Sequence, residues 1–140
     1  MCLILDANKY GDFMNKDNED MKPVRMWIEG NGGKGKLVYS PTDKFEQELK
    51  CFRKMRDKLL YYQTRGKVKL VRKEKVEAEQ AKLTGLKSND RHVIALARVA
   101  KVDLLVSNDR DLHEDFKIFC NGRIYQNRSH RHLLTPDLCP

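Results

Sequence analysis

Short apolar runs alternate with stretches of helical periodicity along the whole chain, and that alternation limits the fold more than any other feature. Leu3-Ile4-Leu5 reads as a buried strand stopped by Asp6. Residues 36–40 (KLVYS), 67–72 (KVKLVR), 103–107 (DLLVS), and 117–120 together with 123–125 read as four more. Between them lie helical segments. Residues 23–29 place Val24, Trp27 and Ile28 on one face, with Trp27 expected in the core. Residues 45–62 repeat Phe45, Leu49, Phe52 and Leu59 behind a start signal in which Ser40 caps and Pro41 follows, and Gly66 ends the helix. Residues 77–83 form a short helix, Ser88 caps a helix over 89–100, and residues 110–114 make a helical turn. Strands separated by helices cannot be hairpins. They predict an α/β fold, a single domain over residues 1–140, with a mainly parallel sheet covered on both faces and ligands bound beyond the carboxyl ends of its strands.

That rule makes the acids informative. Asp6 follows the first strand and Asp109 the fourth, so both fall on one rim of the sheet, while Asp90 opens the helix between them. Each acid has a local explanation, as a turn residue or as a helix-start acid favoured by the dipole. Local explanations do not account for two strand-end acids on the same edge. The middle helix offers another. With Phe45 at zero and about 100° per residue, Leu49, Phe52 and Leu59 centre the buried stripe near zero, Glu48 lies at about −60° on its shoulder and Glu46 at about +100° outside it. Glu48 is therefore the acid expected to face inward, with Glu46 as the alternative and Lys44, four residues earlier, available as an ion-pair partner.

Four carboxylates gathered at one edge repel one another, and a hard divalent cation, Mg²⁺ or Mn²⁺, removes the conflict because it takes oxygen ligands and leaves positions for water and phosphate. Such an ion activates water and offsets charge on a phosphodiester, and two ions about 4 Å apart can divide the work. No catalytic Ser, Cys or His is required.

Charge agrees with a polyanionic partner. The formal net charge is +8, and residues 41–85 hold thirteen basic against seven acidic side chains, most of the excess. Lys44, Arg53, Arg91 and Arg110 are the expected nucleic-acid contacts. The four cysteines, Cys2, Cys51, Cys120 and Cys139, form no CxxC pair and read as reduced thiols. With no apolar run of membrane-spanning length, and an N-terminal MCLILD that meets an acid too early for a signal peptide, a cytoplasmic protein is expected.

The segments LILDAN, FEQEL, NDRHVIALA and LLVSNDRDL resemble the four motifs of PIN domain ribonucleases, and together they span nearly the whole chain. The resemblance implies an α/β/α sandwich and a Mg²⁺- or Mn²⁺-dependent endoribonuclease. Asp6, Glu48, Asp90 and Asp109 match its acids and Asp111 an accessory metal acid, while Asn8 and Ser107 match positions beside the metal. It also raises a toxin paired with an antitoxin or other inhibitor protein, single-stranded DNA as a second substrate, and a homodimer. Two other readings compete. One is an inactive nucleic-acid-binding module of the same fold; the other is a phosphatase or receiver domain using Asp6, which wants an acid where Asn8 stands.

Remaining features carry less. GNGGKGK at residues 30–36 lacks the GK[ST] of a P-loop and reads as a flexible turn. His130 and His132 sit two apart, as on a strand face, without a zinc-spaced partner. His92 is expected on the helix surface, from where it can shuttle a proton.

Overall fold

The structure, a computed structural model, describes residues 2–30 and 33–135. Its strands are β1 (Ile4–Leu5), β2 (Leu37–Tyr39), β3 (Val68–Leu70), β4 (Leu104–Val106) and β5 (Arg123–Tyr125). The helices are α1 (Tyr10–Met14), α2 (Lys22–Glu29), α3 (Asp43–Lys50), α4 (Arg53–Thr64), α5 (Lys73–Lys82), α6 (Arg91–Ala100) and α7 (Arg110–Cys120), with 3₁₀ turns at Ala7–Lys9 and Arg128–Leu133.

Every strand pairing is parallel. One sheet has the order β1-β4-β5 and another pairs β2 with β3. A parallel bridge between Leu3 and Leu37 joins them, with Leu3 N donating to Lys36 O at 3.1 Å and Val38 N donating to Leu3 O at 3.0 Å. Read across both, the order is β3-β2-β1-β4-β5. The chain therefore leaves β1 towards one side and, after β3, returns to β4 on the other. The gap between β1 and β4 is the switch point of the topology, where an open parallel sheet forms a crevice at its carboxyl edge. The core explains why the strands read as continuous apolar runs: Leu3, Ile4, Leu104, Leu105 and Val106 are all fully or almost fully buried. The helices pack in two groups, α4 with α1 and α3, and α6 with α5 and α7.

Several expected boundaries move, each for a physical reason. The helix expected over 45–62 is two helices. The chain breaks at Phe52, whose backbone is non-helical (φ −139, ψ 80) while its ring meets Tyr10 edge-on at 6.2 Å. Packing that ring beside α1 outweighs two more residues of helix. The α3 helix starts at Asp43 with Thr42 as N-cap, and Ser40, expected to cap, is instead buried just beyond β2. Residues 117–120 are not a strand: α7 runs from Arg110 to Cys120, because Leu112 and Phe116 continue one buried face and Asn121 closes the helix in the left-handed region (φ 49). Ser88 does not cap α6; Asp90 holds that position. The α5 helix is longer than the segment 77–83 and begins at Lys73, and α1 has no counterpart among the expected elements.

The Gly-rich turn is in part a packing device. A Cβ on Gly35 would lie 2.2 Å from the Trp27 ring. Trp27 itself is only partly buried against the core, with its indole Nε1 donating to Thr135 O at 2.9 Å. His130 and His132 lie in a 3₁₀ turn, not on a strand. The expectation of four reduced thiols fails at Cys2, which is disulfide-bonded, whereas Cys51 and Cys120 are free; Cys139 lies outside the described residues. Among the described residues no helix is long and apolar enough to cross a membrane.

Candidate functional site

Asp6 stands at the carboxyl end of β1, still held in the sheet by its N–H donating to Val106 O at 2.9 Å. Its side chain is 4% exposed. One oxygen accepts from Ala7 N at 2.9 Å and the other from Ser107 Oγ at 2.7 Å. Ser107 directly follows β4, the neighbouring strand, so this hydrogen bond spans the switch point of the sheet. Asn8 locks the same junction: its Nδ2 donates to Ser107 Oγ at 3.3 Å and its Oδ1 accepts from Asn108 N at 3.1 Å. Burial pushes the Asp6 carboxyl above its ordinary range, the Ser107 hydroxyl opposes that, and the charge of Glu48 adds to it.

Asp109 is the N-cap of α7, with Oδ1 accepting from Asp111 N at 3.0 Å and Leu112 N at 3.3 Å. Asp90 is the N-cap of α6, yet its side chain makes no capping hydrogen bond. Its backbone is placed from α7. Buried Asp115 accepts from Lys87 N at 3.0 Å, Ser88 N at 2.9 Å and Ser88 Oγ at 2.7 Å, and Ser88 Oγ accepts from Asp90 N at 3.3 Å. The carboxyl of Asp90 is pushed up to about 6, first by burial, then by the charge of Asp6, with His92 opposing and Glu48 and Asp109 adding to the rise. Asp90 thus feels the charges of Asp6, Glu48 and Asp109, while Asp6 and Asp109 lie outside the group of ligand atoms that Glu48, Asp90 and His92 bring together.

Glu48 extends from α3 with its carboxylate 2.9 Å from His92 Nε2. Its partner is not Lys44, which is exposed. Glu46 points elsewhere and accepts from Tyr39 Oη at 2.6 Å. The helical geometry that separated the two glutamates therefore agrees with where the structure puts them. His92 is the residue that sequence reasoning misplaced: it is 2% exposed, not on the surface, and its ring meets Phe45 edge-on at 4.5 Å. A signal was available, since His92 precedes Ala95 and Leu96 by three and four residues and so shares their buried face. One ligand atom each from Glu48, Asp90 and His92 lie within 4.8 Å of one another, a donor set able to hold a metal ion.

Asp111 is exposed in the first turn of α7 and lies outside that group of three. Lys44, Arg53, Arg91 and Arg110 are all exposed, each within the first two residues of its helix, α3, α4, α6 and α7 respectively. Tyr10, in α1, is buried and feels the charges of Glu48 and Asp6, which with burial push its hydroxyl up. A hollow of about 310 Å³ beside Tyr39, Glu46, Leu60 and Leu70 contains none of the four acids.

No family model, no curated protein and no solved structure matches this chain.

Proposed function

We propose that the chain is a divalent-metal-dependent endoribonuclease of PIN-like architecture, a parallel sheet sandwiched between its two groups of helices. The observation that carries the reading is the group of Glu48, Asp90 and His92, whose ligand atoms lie within 4.8 Å of one another, supported by the charges of Asp6, Glu48 and Asp109, each of which raises the Asp90 carboxyl. A chain that gathers acids where an open α/β sheet binds ligands invests folding energy in a cation site.

Mg²⁺ or Mn²⁺, when bound, supplies a water of lowered pKa and charge to offset the scissile phosphate. Glu48 and Asp90 would hold it, with Asp6 as a further acid beside them. Ser107 and Asn8 fix Asp6 so that it cannot swing out to solvent. Asp109 gives Oδ1 to the start of α7 and would offer its second oxygen, with Asp111 as an accessory acid. Lys44, Arg53, Arg91 and Arg110, exposed at the starts of their helices, would draw phosphates towards acids whose own charge repels them until a cation enters. The strength of that inner repulsion makes cleavage dependent on the metal.

The test is cleavage of labelled RNA with Mn²⁺ or Mg²⁺ by the wild type, Asp6→Asn and Asp90→Asn. Metal-dependent cutting lost in both variants supports the proposal. Metal-independent RNA binding without cleavage favours the inactive nucleic-acid-binding module. Cleavage equal in all three assigns the activity to a contaminant. A toxin paired with an inhibitor protein, cutting of single-stranded DNA and a cytoplasmic setting follow from the resemblance, and each has its own assay.

A further inference from the structure

We infer that His92 is itself a ligand of the cation and that its imidazole shifts the site's preference from Mg²⁺ to Mn²⁺. The inference rests on the reading that these acids hold a divalent ion.

Three observations lead to it. First, His92 is 2% exposed, and a polar ring that deep is placed for a purpose. The edge-on contact with Phe45 at 4.5 Å fixes its plane, so Nε2 has one direction to face. Second, that direction is occupied by acids: Nε2 is 2.9 Å from Glu48 Oε1, and a ring nitrogen of His92, a Glu48 oxygen and an Asp90 oxygen all fall within 4.8 Å of one another. Ligands on opposite sides of an ion with bonds of about 2.1 Å are about 4.2 Å apart, so the three need to move little to share one. Third, Asp90 behaves unlike an ordinary N-cap. Asp109 gives its oxygen to two backbone N–H groups of α7, whereas Asp90 gives its carboxylate to none of α6. An N-cap aspartate that forgoes its own helix keeps its oxygens for something else.

Without the ion, His92 Nε2 and Glu48 Oε1 partner one another at 2.9 Å. Ligation uses the Nε2 lone pair, with the ring proton on Nδ1. An all-oxygen site suits both Mg²⁺ and Mn²⁺, whereas replacing one oxygen by a borderline nitrogen donor penalises the harder Mg²⁺ more than Mn²⁺. One buried imidazole among carboxylates therefore acts as a selectivity device.

The experiment adds substoichiometric Mn²⁺ to the purified chain and records electron spin-echo envelope modulation, with calorimetric titration of Mn²⁺ and Mg²⁺ alongside. The wild type is expected to show ¹⁴N modulation from a coordinated imidazole. His92→Gln should lose that modulation and lower the ratio of Mn²⁺ to Mg²⁺ affinity about tenfold or more. Should His92→Gln not fold, nitrogen modulation that persists when His113, His130 and His132 are all replaced by Gln, leaving His92 as the remaining histidine, makes the same assignment. Bound Mn²⁺ without nitrogen modulation in the wild type overturns the inference, as does a nitrogen signal that survives in a folded His92→Gln. Nitrogen modulation in a chain that cuts no RNA keeps the ligand and removes the nuclease; metal-dependent cutting without nitrogen modulation does the reverse.

Discussion

Replacing Asp90 by Asn should stabilise the metal-free protein, an unusual outcome for a residue in a functional site. The carboxyl is carried from an ordinary 3.8 to about 6 by burial and by neighbouring acids. A displacement of that size corresponds to about 3 kcal/mol between the two protonation states. Part of the carboxyl faces water, which screens the repulsion, so about 1–2 kcal/mol is the realistic gain. The sign follows from proton linkage. Because the native value lies above the unfolded one, the native state keeps a proton between pH 3.8 and about 6 that the unfolded chain has released. Stability therefore falls as pH rises through that window, and the whole penalty is present above it. Urea unfolding with a chelator present should show Asp90→Asn more stable than the wild type at pH 7.5, with the difference shrinking towards zero at pH 4. Adding Mn²⁺ should reverse the order at pH 7.5, because only the wild type keeps the full ligand set and gains the binding free energy. A variant less stable than the wild type at pH 7.5 without metal would refute the claim that these acids strain against one another.

Other consequences are independent of this one. Asp115→Ala leaves Lys87 N, Ser88 N and Ser88 Oγ without their acceptor and should cost about 3 kcal/mol in urea unfolding, with Asp115→Asn recovering part of it. Gly35→Ala drives a methyl into the Trp27 ring and should cost about 2 kcal/mol or more, read as a lowered melting temperature with blunted tryptophan fluorescence change. Arg53→Glu combined with Arg91→Glu should weaken RNA binding uniformly across sequences and flatten the dependence of log affinity on log salt by about 0.7 for each phosphate that is no longer neutralised; an unchanged slope would remove these side chains from the interface.

How far the chain could be read depended on whether a feature is local or relational. The strand at residues 3–5, the helix ending near Gly30 and the run at 103–107 were legible because an apolar run or a 3.6-residue period needs no knowledge of neighbours. The same is true of the acids that follow β1 and β4: a strand end has a polar residue next to it in sequence, so Asp6 and Asp109 announce which rim they occupy. Glu48 was separable from Glu46 because both sit on one helix whose buried stripe is visible. The fate of residues 117–120 was less legible, since an apolar run of that length suits a strand or the end of a helix equally, and only continuity with Leu112 and Phe116 decides it.

What the amino-acid order determined by itself was the alternation of strands and helices, the parallel sheet that alternation requires, and the placing of Asp6 directly after β1 and of Asp109 shortly after β4. What only the tertiary structure decided was partnership. His92 faces Glu48 because α6 and α3 meet at that edge, Phe52 breaks a helix because Tyr10 waits beside it, and Asp115 holds the approach to Asp90 from a helix some twenty-five residues further along. Periodicity reports which face of an element turns inward; it contains nothing about which other element will be there to meet it.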